Sequence, residues 1–303
     1  MCIRDSLHLM KKKIAYIVNP IAGKLSKRNK ERVIDSIYPG SEPEIIFSTS
    51  AEDAEDKAQE FMAKKYLVVA CGGDGLINII AQKAINYSCE MAILPFGRGN
   101  DFARSLNIDT LDKAVNAIRT GDFKSVSYLS VVFSNNSRIS LTNAGVGLLS
   151  EASFRASNIP LLKGSLLYTF AALISFVNLK SHRYVITTET EKMEMDNLIL
   201  AGAASQYTGG GMYIAPDAKK FRDKINLLFA KKLSRIQAII LLIRVFSGSH
   251  IFHSSVTNTH VGTVKIESLS SDRWSSIVSG DGEYLGDLPV TISLGKKPLK
   301  IAY

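Results

Sequence analysis

Three short apolar runs in the first third of the chain predict buried β-strands. They are KIAYIVN at Lys13–Asn19, YLVVAC at Tyr66–Cys71, which is followed by two glycines, and Met91–Leu94. Uninterrupted apolar runs of this length are typical of parallel strands, because helices cover both faces of a parallel sheet.

The segments between these runs carry apolar residues at helical spacing together with charged faces. Helices are predicted at Ser26–Ile37, Ala51–Lys64 and Asp112–Arg119. Ser50 is a suitable N-cap for the second helix, because acidic residues follow in its first turn. This alternation predicts an α/β domain with a parallel sheet and right-handed crossovers over residues 11–125.

From about residue 126 the pattern changes to short alternating or β-branched runs separated by turn residues. Strands are predicted at Val126–Phe133, Arg138–Asn143, Ser181–Thr188, Asn197–Ala204, Lys224–Ala230, Val261–Ser268 and Val290–Leu294. Helical stretches interrupt them near Ser165–Val177 and Ser234–Phe246. The pattern predicts a second, mainly antiparallel β domain over residues 126–295.

Composition narrows the class of protein. The 303 residues are 46% hydrophobic and 21% charged, which suits a globular chain of two domains. Three cysteines without CxxC spacing argue against a disulfide scaffold or a zinc site and suit a reducing cytoplasm.

The sequence gives no sign of a membrane-spanning or secretory segment. The longest apolar stretch, Leu166–Val177, is shorter than the roughly 18 residues that span a bilayer. Residues 1–10, MCIRDSLHLM, lack the layout of a secretory signal. We expect Met10 to be the natural start and residues 1–10 to be a non-native or disordered extension.

The formal net charge of +9 predicts an anionic partner: a nucleic acid, a phosphate-rich cofactor or an anionic membrane surface. Basic clusters lie at Lys11–Lys13, Lys24–Arg32, Lys219–Lys224 and Lys296–Lys300. Stacking aromatics typical of nucleic-acid binding do not accompany them, so we expect no nucleic-acid partner. Each single cluster can equally be an ordinary solvated face.

Four residues, Gly72-Gly73-Asp74-Gly75, follow the second apolar run directly. Glycines at a strand end allow backbone N–H groups to approach phosphates, and a helix at Ile77–Ile85 adds the positive end of its dipole. Asp74 is a candidate for binding magnesium or for ordering a polyphosphate through water. An ordinary turn between strand and helix is the alternative.

A second glycine-rich run, Pro95–Arg104, follows the third predicted strand. Its Gly97, Gly99, Asn100 and Asp101 are candidates for a further phosphate or metal contact, and Arg98 is a candidate for neutralising phosphate charge. The first strand ends similarly, at Asn19, Gly23 and Lys24. Because parallel strands bind ligands at their carboxyl ends, the three loops are predicted to share one crevice.

Taken in order, these motifs resemble the diacylglycerol kinase catalytic-domain superfamily, which includes sphingosine kinases and bacterial soluble lipid kinases. The matching motifs are Asn19-Pro20 with Gly23, Gly72–Gly75 with Asn78, Pro95–Arg104, Gly209-Gly210-Gly211-Met212 with Ala215-Pro216 and Ala218, and Asp281-Gly282-Glu283. They span residues 14–303, nearly the whole chain.

The resemblance implies a two-domain lipid kinase that uses ATP and Mg²⁺, with an α/β domain of the diacylglycerol kinase or NAD kinase type and a β-sandwich-like second domain. The last strand, near residues 296–303, would return to the first domain. Nucleotide binding is implied for Asn19, Pro20, Gly23, Lys24, Gly72, Gly73, Asp74, Gly75, Asn78, Gly97, Arg98, Gly99, Asn100 and Asp101. Asp281 would be the general base on the acceptor hydroxyl, with Glu283 beside it.

Metal sites and partners are implied by the same resemblance. Asp74 and Asp101 would serve a catalytic Mg²⁺, and Asp223 a structural one. A cytoplasmic enzyme of this kind docks transiently on an anionic bilayer that contains its lipid substrate. A homodimer is possible, and an apolar pocket between the domains near Leu161–Val177 would select the acceptor.

Several positions depart from the pattern of the family. Leu76 and Arg98 stand where Thr is usual, and Ser127, Lys224 and Asn226 also differ from it. Two alternatives therefore stay open. One is an NAD kinase, whose fold and glycine turn are similar, although Gly-Asn-Asp-Phe at residues 99–102 favours the lipid kinases. The other is a catalytically silent relative that binds nucleotide or membrane.

Overall fold

The computed structural model describes residues 13–157, 180–221 and 223–303. Contacts divide the chain into two compact units, one that ends at Val126 and also contains Lys297–Tyr303, and one that comprises Ser127–Lys296. Residues 1–10 and the helix predicted near Ser165–Val177 lie outside the described residues.

A six-stranded sheet with surrounding helices forms the first unit. Its strands are β1 (Ile14–Val18), β2 (Glu44–Phe47), β3 (Leu67–Gly72), β4 (Glu90–Pro95), β5 (Phe123–Val126) and the last strand of the chain, β17 (Leu299–Ala302). Its helices are α1 (Lys27–Asp35), α2 (Ala51–Ala63), α3 (Asp74–Tyr87), α4 (Asp101–Ser105) and α5 (Leu111–Thr120). The strand order is β2-β1-β3-β4-β17-β5. All neighbours are parallel except β5, which runs antiparallel to β17.

The local signals of the first unit explain its elements. Every residue of β3 is buried, as expected for a strand covered on both faces. The Ser50 hydroxyl accepts a hydrogen bond from the backbone N–H of Asp53 and caps α2, as predicted. The predicted α/β fold with a parallel sheet is confirmed. The short strand β2, which pairs with β1, is an addition to the predicted set.

An eleven-stranded antiparallel sheet forms the second unit. Its strands are β6 (Leu129–Phe133), β7 (Ser137–Ser140), β8 (Asn143–Gly147), β9 (His182–Thr188), β10 (Lys192–Ala203), β11 (Ile225–Lys231), β12 (Val256–Val261), β13 (Thr263–Ser268), β14 (Ile277–Gly280), β15 (Glu283–Asp287) and β16 (Val290–Leu294). Its helices are α6 (Leu148–Ser157), α7 (Arg235–Arg244) and α8 (Arg273–Ser276), with 3₁₀ turns at Val245–Ser247 and Ser249–Phe252. The strand order is β15-β14-β8-β10-β9-β13-β16-β6-β7, and β11 pairs with both β10 and β12.

Four predicted strands of this half are wrong in their bounds. Asn197–Ala204 begins five residues inside β10, and Val261–Ser268 begins with the last residue of β12. The other two are each divided. Val126–Phe133 is divided between the two sheets, since β5 pairs with β17 and β6 pairs with β7 and β16. Arg138–Asn143 is interrupted after Ser140, and Asn143 begins β8. The break in Arg138–Asn143 has a physical cause, because the backbone N–H groups of Leu141 and Thr142 donate to the side chain of Asp281.

None of the helices in the described ranges combines the length and the apolar character that crossing a bilayer requires.

Candidate active site

The two glycine-rich loops lie against each other at the carboxyl edge of the first sheet. The backbone N–H of Gly97 donates to the carbonyl oxygen of Gly72 at 3.1 Å. A Cβ added at Gly97 would lie 2.5 Å from the Cα of Gly73, so a larger residue would push the loops apart. The structure thus brings together the two loops that follow β3 and β4.

Asp74 connects these loops through its carboxylate. Its Oδ1 accepts from the backbone N–H of Phe102 at 3.2 Å, and its Oδ2 accepts from that of Asp101 at 3.3 Å. These N–H groups belong to the first turn of α4, where helix donors lack partners within the helix. Asp74 therefore has a structural role that the sequence did not indicate, in addition to its candidate role beside phosphate and metal.

The loop after β1 joins the same edge. The backbone N–H of Asn19 donates to the carbonyl of Cys71 at 3.0 Å, and Asn19 Oδ1 accepts from the N–H of Ile21 at 3.0 Å. Gly23 has φ +66°, and a Cβ there would collide with the carbonyl oxygen of Phe96. Three strand ends therefore form one continuous edge lined by backbone and small residues.

Lys30 holds the loop after β1 in place through hydrogen bonds. Its side chain is completely buried, and its Nζ donates to the carbonyl oxygens of Asn19 and Pro20, each at 2.9 Å. Desolvation lowers the pKa of this ammonium group. Sequence reasoning included Lys30 only as one member of a basic cluster, because no local signal separates a buried lysine from its exposed neighbours.

The other candidate nucleotide residues differ in their exposure. Lys24 and Arg98 are exposed, whereas Gly75 and Asn78 lie half-buried in the first turns of α3. Asn100 is buried, and its Nδ2 donates to the carbonyls of Pro95 and Gly97 at 3.1 and 3.0 Å. Asn100 therefore shapes the second loop from inside.

Asp281 is held in a dense set of hydrogen bonds within the second unit. Its Oδ1 accepts from the Thr142 hydroxyl at 2.6 Å and from the Thr142 N–H at 2.8 Å. The Ser140 hydroxyl also donates to Oδ1 at 2.9 Å and shares its proton with the carbonyl of Asn143 at 2.6 Å. Asp281 Oδ2 accepts from the Leu141 N–H at 2.7 Å. These bonds use the backbone donors between β7 and β8, which explains why the predicted strand breaks there.

Asp281 and Gly282 form the two-residue turn between β14 and β15, and both have positive φ, at +53° and +82°. An Asp-Gly pair with positive φ at both positions is typical of a tight β-hairpin turn. This hairpin turn places the Asp281 carboxylate against Ser140 and Thr142. Neither residue was indicated by the sequence, since each lies about 140 positions from Asp281 and no local pattern connects them.

Glu283 lies two residues further on, at the start of β15. Its side chain is exposed, and the pKa of its carboxyl group is raised, first by desolvation and then by the negative charge of Asp281. The two carboxylates thus differ in their surroundings. Asp281 accepts several hydrogen bonds, whereas the negative charge of Asp281 disfavours ionisation of Glu283.

An apolar cavity of about 200 Å³ lies within the second unit. Its wall includes Leu198, Leu228, Leu233, Leu241 and Val256. Polar side chains are few in the wall and include Asn143 and Ser279. The wall also includes Gly282, which directly follows Asp281 in the chain. The cavity therefore borders the strand end that carries the candidate base.

The glycine-rich segment of the second half also borders this cavity. Thr208 and Met212 exchange backbone hydrogen bonds of 3.0 Å around Gly209–Gly211, and Thr208, Gly209 and Met212 belong to the cavity wall. The region near Leu161–Val177, from which the sequence predicted the acceptor pocket, lies outside the described residues.

Metal ligands are sparse in the part of the chain that the structure describes, which contains no group of three or more His, Cys, Asp or Glu residues able to hold a metal ion. Asp74 and Asp101 are adjacent, and one or two carboxylates with phosphate oxygens suffice for Mg²⁺ in phosphoryl-transfer sites. Asp223 is exposed just before β11. Nearby Asn226 donates its Nδ2 to Asn258 Oδ1 at 2.7 Å and to the carbonyl of Thr259 at 3.0 Å.

Comparisons with known proteins agree with this architecture. The family described as "Diacylglycerol kinase catalytic domain" matches residues 13–131, and that described as "YegS C-terminal NAD kinase beta sandwich-like domain" matches residues 142–303. A protein named diacylglycerol kinase from Bacillus subtilis (strain 168) is 25% identical over 286 residues, which cover 92% of each chain. One of the same name from Staphylococcus saprophyticus is 26% identical over 289 residues, again 92% of each chain.

A solved structure shares the fold. It is a crystal structure of a diacylglycerol kinase from Bacillus anthracis str. Sterne, and it superposes with a TM-score of 0.71 at 19% sequence identity, covering 96% of this chain and 97% of that one.

Proposed function

Because the chain belongs to the diacylglycerol kinase catalytic-domain superfamily, we propose that it is an ATP-dependent lipid kinase that phosphorylates the hydroxyl of diacylglycerol or a related long-chain lipid alcohol. One structural observation supports this proposal in addition to membership of the family. The carboxylate of Asp281 is held by hydrogen bonds from Ser140, Leu141 and Thr142, and the next residue, Gly282, lines an apolar cavity within the same unit. A polar reacting group next to an apolar cavity suits a substrate with a hydroxyl at the end of a hydrocarbon body.

ATP would bind at the three strand ends of the first unit. Because Gly73 and Gly97 have no side chains, their backbone could approach the phosphates closely. The 14-residue helix α3 begins at Asp74, and the positive end of its dipole would attract phosphate. Exposed Lys24 and Arg98 would neutralise phosphate charge. Bound Mg²⁺, with Asp74 and Asp101 among its ligands, would neutralise charge on the phosphates as transfer proceeds.

The chemical step needs few groups from the protein. The acceptor hydroxyl oxygen forms a bond to the γ-phosphorus, the bond from that phosphorus to the β,γ-bridging oxygen breaks, and ADP leaves. Asp281 accepts the hydroxyl proton, and its hydrogen bonds to Ser140 and Thr142 keep the carboxylate in one orientation. Glu283, beside it, would complete the polar network.

The apolar cavity would hold hydrocarbon of the acceptor next to Asp281. Leu198, Leu241 and Val256 give it a wall without charge, which favours an acyl chain over a nucleotide. This wall separates the proposal from the NAD kinase alternative, whose acceptor is a polar dinucleotide.

The test is a transfer screen with radiolabelled ATP over extracted membrane lipids and NAD, using wild type, Asp281→Asn and Thr142→Ala. Asp281→Asn should lower kcat by at least about 100-fold, because it removes the proton acceptor. Thr142→Ala keeps the carboxylate and loses one donor, so a smaller loss is expected.

Thermal unfolding of both variants separates chemistry from folding, because Asp281→Asn also places an NH₂ group against backbone donors. Full activity in a folded Asp281→Asn protein would show that Asp281 is not the base. Phosphorylation of NAD alone would favour the NAD kinase alternative. Binding of ATP without turnover of any acceptor would favour a silent relative, to which the Leu76 and Arg98 departures point.

A further inference from the structure

Helix α7 exposes a continuous apolar face. Ile236, Ile239, Ile240 and Ile243 have exposed fractions of 73%, 51%, 43% and 69%, and Phe246, just after the helix, is 58% exposed. Their spacing of three and four residues places the isoleucines on one side of the helix. We call Ile236, Ile239, Ile240 and Ile243 the isoleucine face. An exposed apolar patch of this kind typically marks an interaction surface.

The opposite side of α7 is firmly anchored, so the exposure does not come from a loosely attached helix. Ala238 and Leu241 are buried in a cluster with Leu148, Leu198 and Leu233. The N-terminus carries a capping box, in which Ser234 and Gln237 satisfy each other's backbone donors. The isoleucine face is therefore presented by a fixed helix.

The segment that carries the isoleucine face is basic. Lys231, Lys232, Arg235 and Arg244 are exposed at its two ends. The sequence has no Asp or Glu between Asp223 and Glu267. An apolar face with exposed cations at both ends is complementary to a surface that is apolar inside and anionic at its rim.

The same helix borders the apolar cavity. Its inner residues Ala238, Leu241 and Leu242, with Val245 and Phe246 after it, belong to the cavity wall. One side of α7 thus faces the space that would hold hydrocarbon of the acceptor, and the other side bears the isoleucine face. A single helix thus carries both the isoleucine face and part of the wall of the cavity proposed to hold the acceptor lipid.

We propose that α7 docks the protein on a bilayer that contains anionic lipids. The isoleucine face enters the boundary between headgroups and acyl chains, while Lys231, Lys232, Arg235 and Arg244 pair with lipid phosphates. This inference rests on the proposed function, since a lipid kinase must reach a substrate that resides in the bilayer. Docking on this face sets the wall of the acceptor cavity against the membrane.

The experiment compares sedimentation of the full chain with phosphatidylcholine vesicles, with and without phosphatidylglycerol. The variant Ile236→Ser/Ile239→Ser/Ile243→Ser alters only the isoleucine face. Its matched control, Val132→Ser/Leu269→Ser, removes exposed apolar residues from other elements, 44% and 53% exposed. We expect wild type and control to bind phosphatidylglycerol vesicles alike, and the isoleucine variant to bind at least about tenfold more weakly.

A charge variant keeps the test decisive if the isoleucine variant folds poorly. Lys232→Glu/Arg244→Glu leaves the isoleucine face intact and should abolish the preference for phosphatidylglycerol vesicles. Wild-type binding should also weaken as salt is raised. Vesicle binding that is unchanged in both variants would overturn the proposal. So would a wild-type dimer that becomes a monomer in the isoleucine variant, because the face would then bind a second copy of the chain.

Activity measurements separate this inference from the proposed function. The isoleucine variant should phosphorylate short-chain diacylglycerol dissolved as monomers at the wild-type rate and lose activity on long-chain diacylglycerol in vesicles. If wild type phosphorylates neither substrate, the proposed function fails, while the vesicle-binding results still decide the role of α7. Equal losses on monomeric and vesicle substrate would indicate damage to the active site and overturn docking as the cause.

Discussion

Lys30 illustrates how a single buried charge can shape the candidate nucleotide site. Its Nζ donates to the carbonyls of Asn19 and Pro20, and neither carbonyl can be satisfied by an apolar side chain in its place. Lys30→Met should cost about 1–3 kcal/mol of stability, because the part-buried carbonyls of Asn19 and Pro20 lose the ammonium donor and Asn19 keeps only the N–H of Ala22. It should also weaken ATP binding by releasing the loop after β1, which calorimetry can measure.

Lys27 offers the matched control, since it lies exposed on the same helix. Lys27→Met should leave both unfolding and ATP binding near wild type. If the two variants behaved alike, Lys30 would have no positioning role.

Glu283 should make stability depend on pH. Its raised pKa means that folding favours the protonated form, so its contribution is fully present below the ordinary Glu pKa and is lost as pH rises through the raised value. Glu283→Gln should therefore raise Tm at neutral pH and have little effect in acid. Glu191→Gln, at an exposed carboxylate of the same unit, reports the effect of losing a charge alone.

The charge of Asp281 is the second cause of this shift. Asp281→Asn should consequently lower the pKa of Glu283 while leaving it above the ordinary value, because desolvation persists. Carbon-13 NMR titration, assigned with Glu283→Gln, can follow this. An unchanged Glu283 titration would contradict the coupling between the two residues.

At the scale of elements, the loop after β1 depends on a glycine. Gly23 and Gly40 both have positive φ, at +66° and +81°, but only at Gly23 would a Cβ meet the backbone, at Phe96. Gly23→Ala should therefore destabilise the protein by about 1–3 kcal/mol more than Gly40→Ala. Both substitutions strain a positive φ, but only the alanine at position 23 would also collide with the backbone of Phe96. Urea unfolding measures the difference. Equal losses would mean that the loop adjusts freely.

Elements with a strong local signal were predictable. The buried runs at β1, β3 and β4 and the amphipathic helices α1 and α2 follow from period and capping alone. The run at Val126–Phe133 was not, because its two parts join different sheets. The strand β12, VTNTHV, lacks a clear apolar alternation, and its pairing with the buried strand β11 makes it a strand.

At the scale of the molecule, the chain returns to its first sheet at the end. Strand β17 lies between β4 and β5, and its Leu299 and Ile301 are fully buried. Ile301→Asp should destabilise the first unit and raise hydrogen exchange in β4 and β5, while β9 and β10 of the second unit keep their protection. Lys300→Asp, at an exposed position of the same strand, is the control. Uniform loss of protection in both units would contradict this.

The sequence by itself determined the alternation of strands and helices, the glycine turns at strand ends and the order of motifs that identifies the family. These depend on residues close together in the chain, where period, capping and turn chemistry act. Only the tertiary structure decided that Ser140 and Thr142 hold Asp281, that Lys30 supports the loop at Asn19, and that one side of α7 lines a cavity while the other is exposed. Those features arise from contacts between distant segments, and no local preference encodes which distant residues will meet.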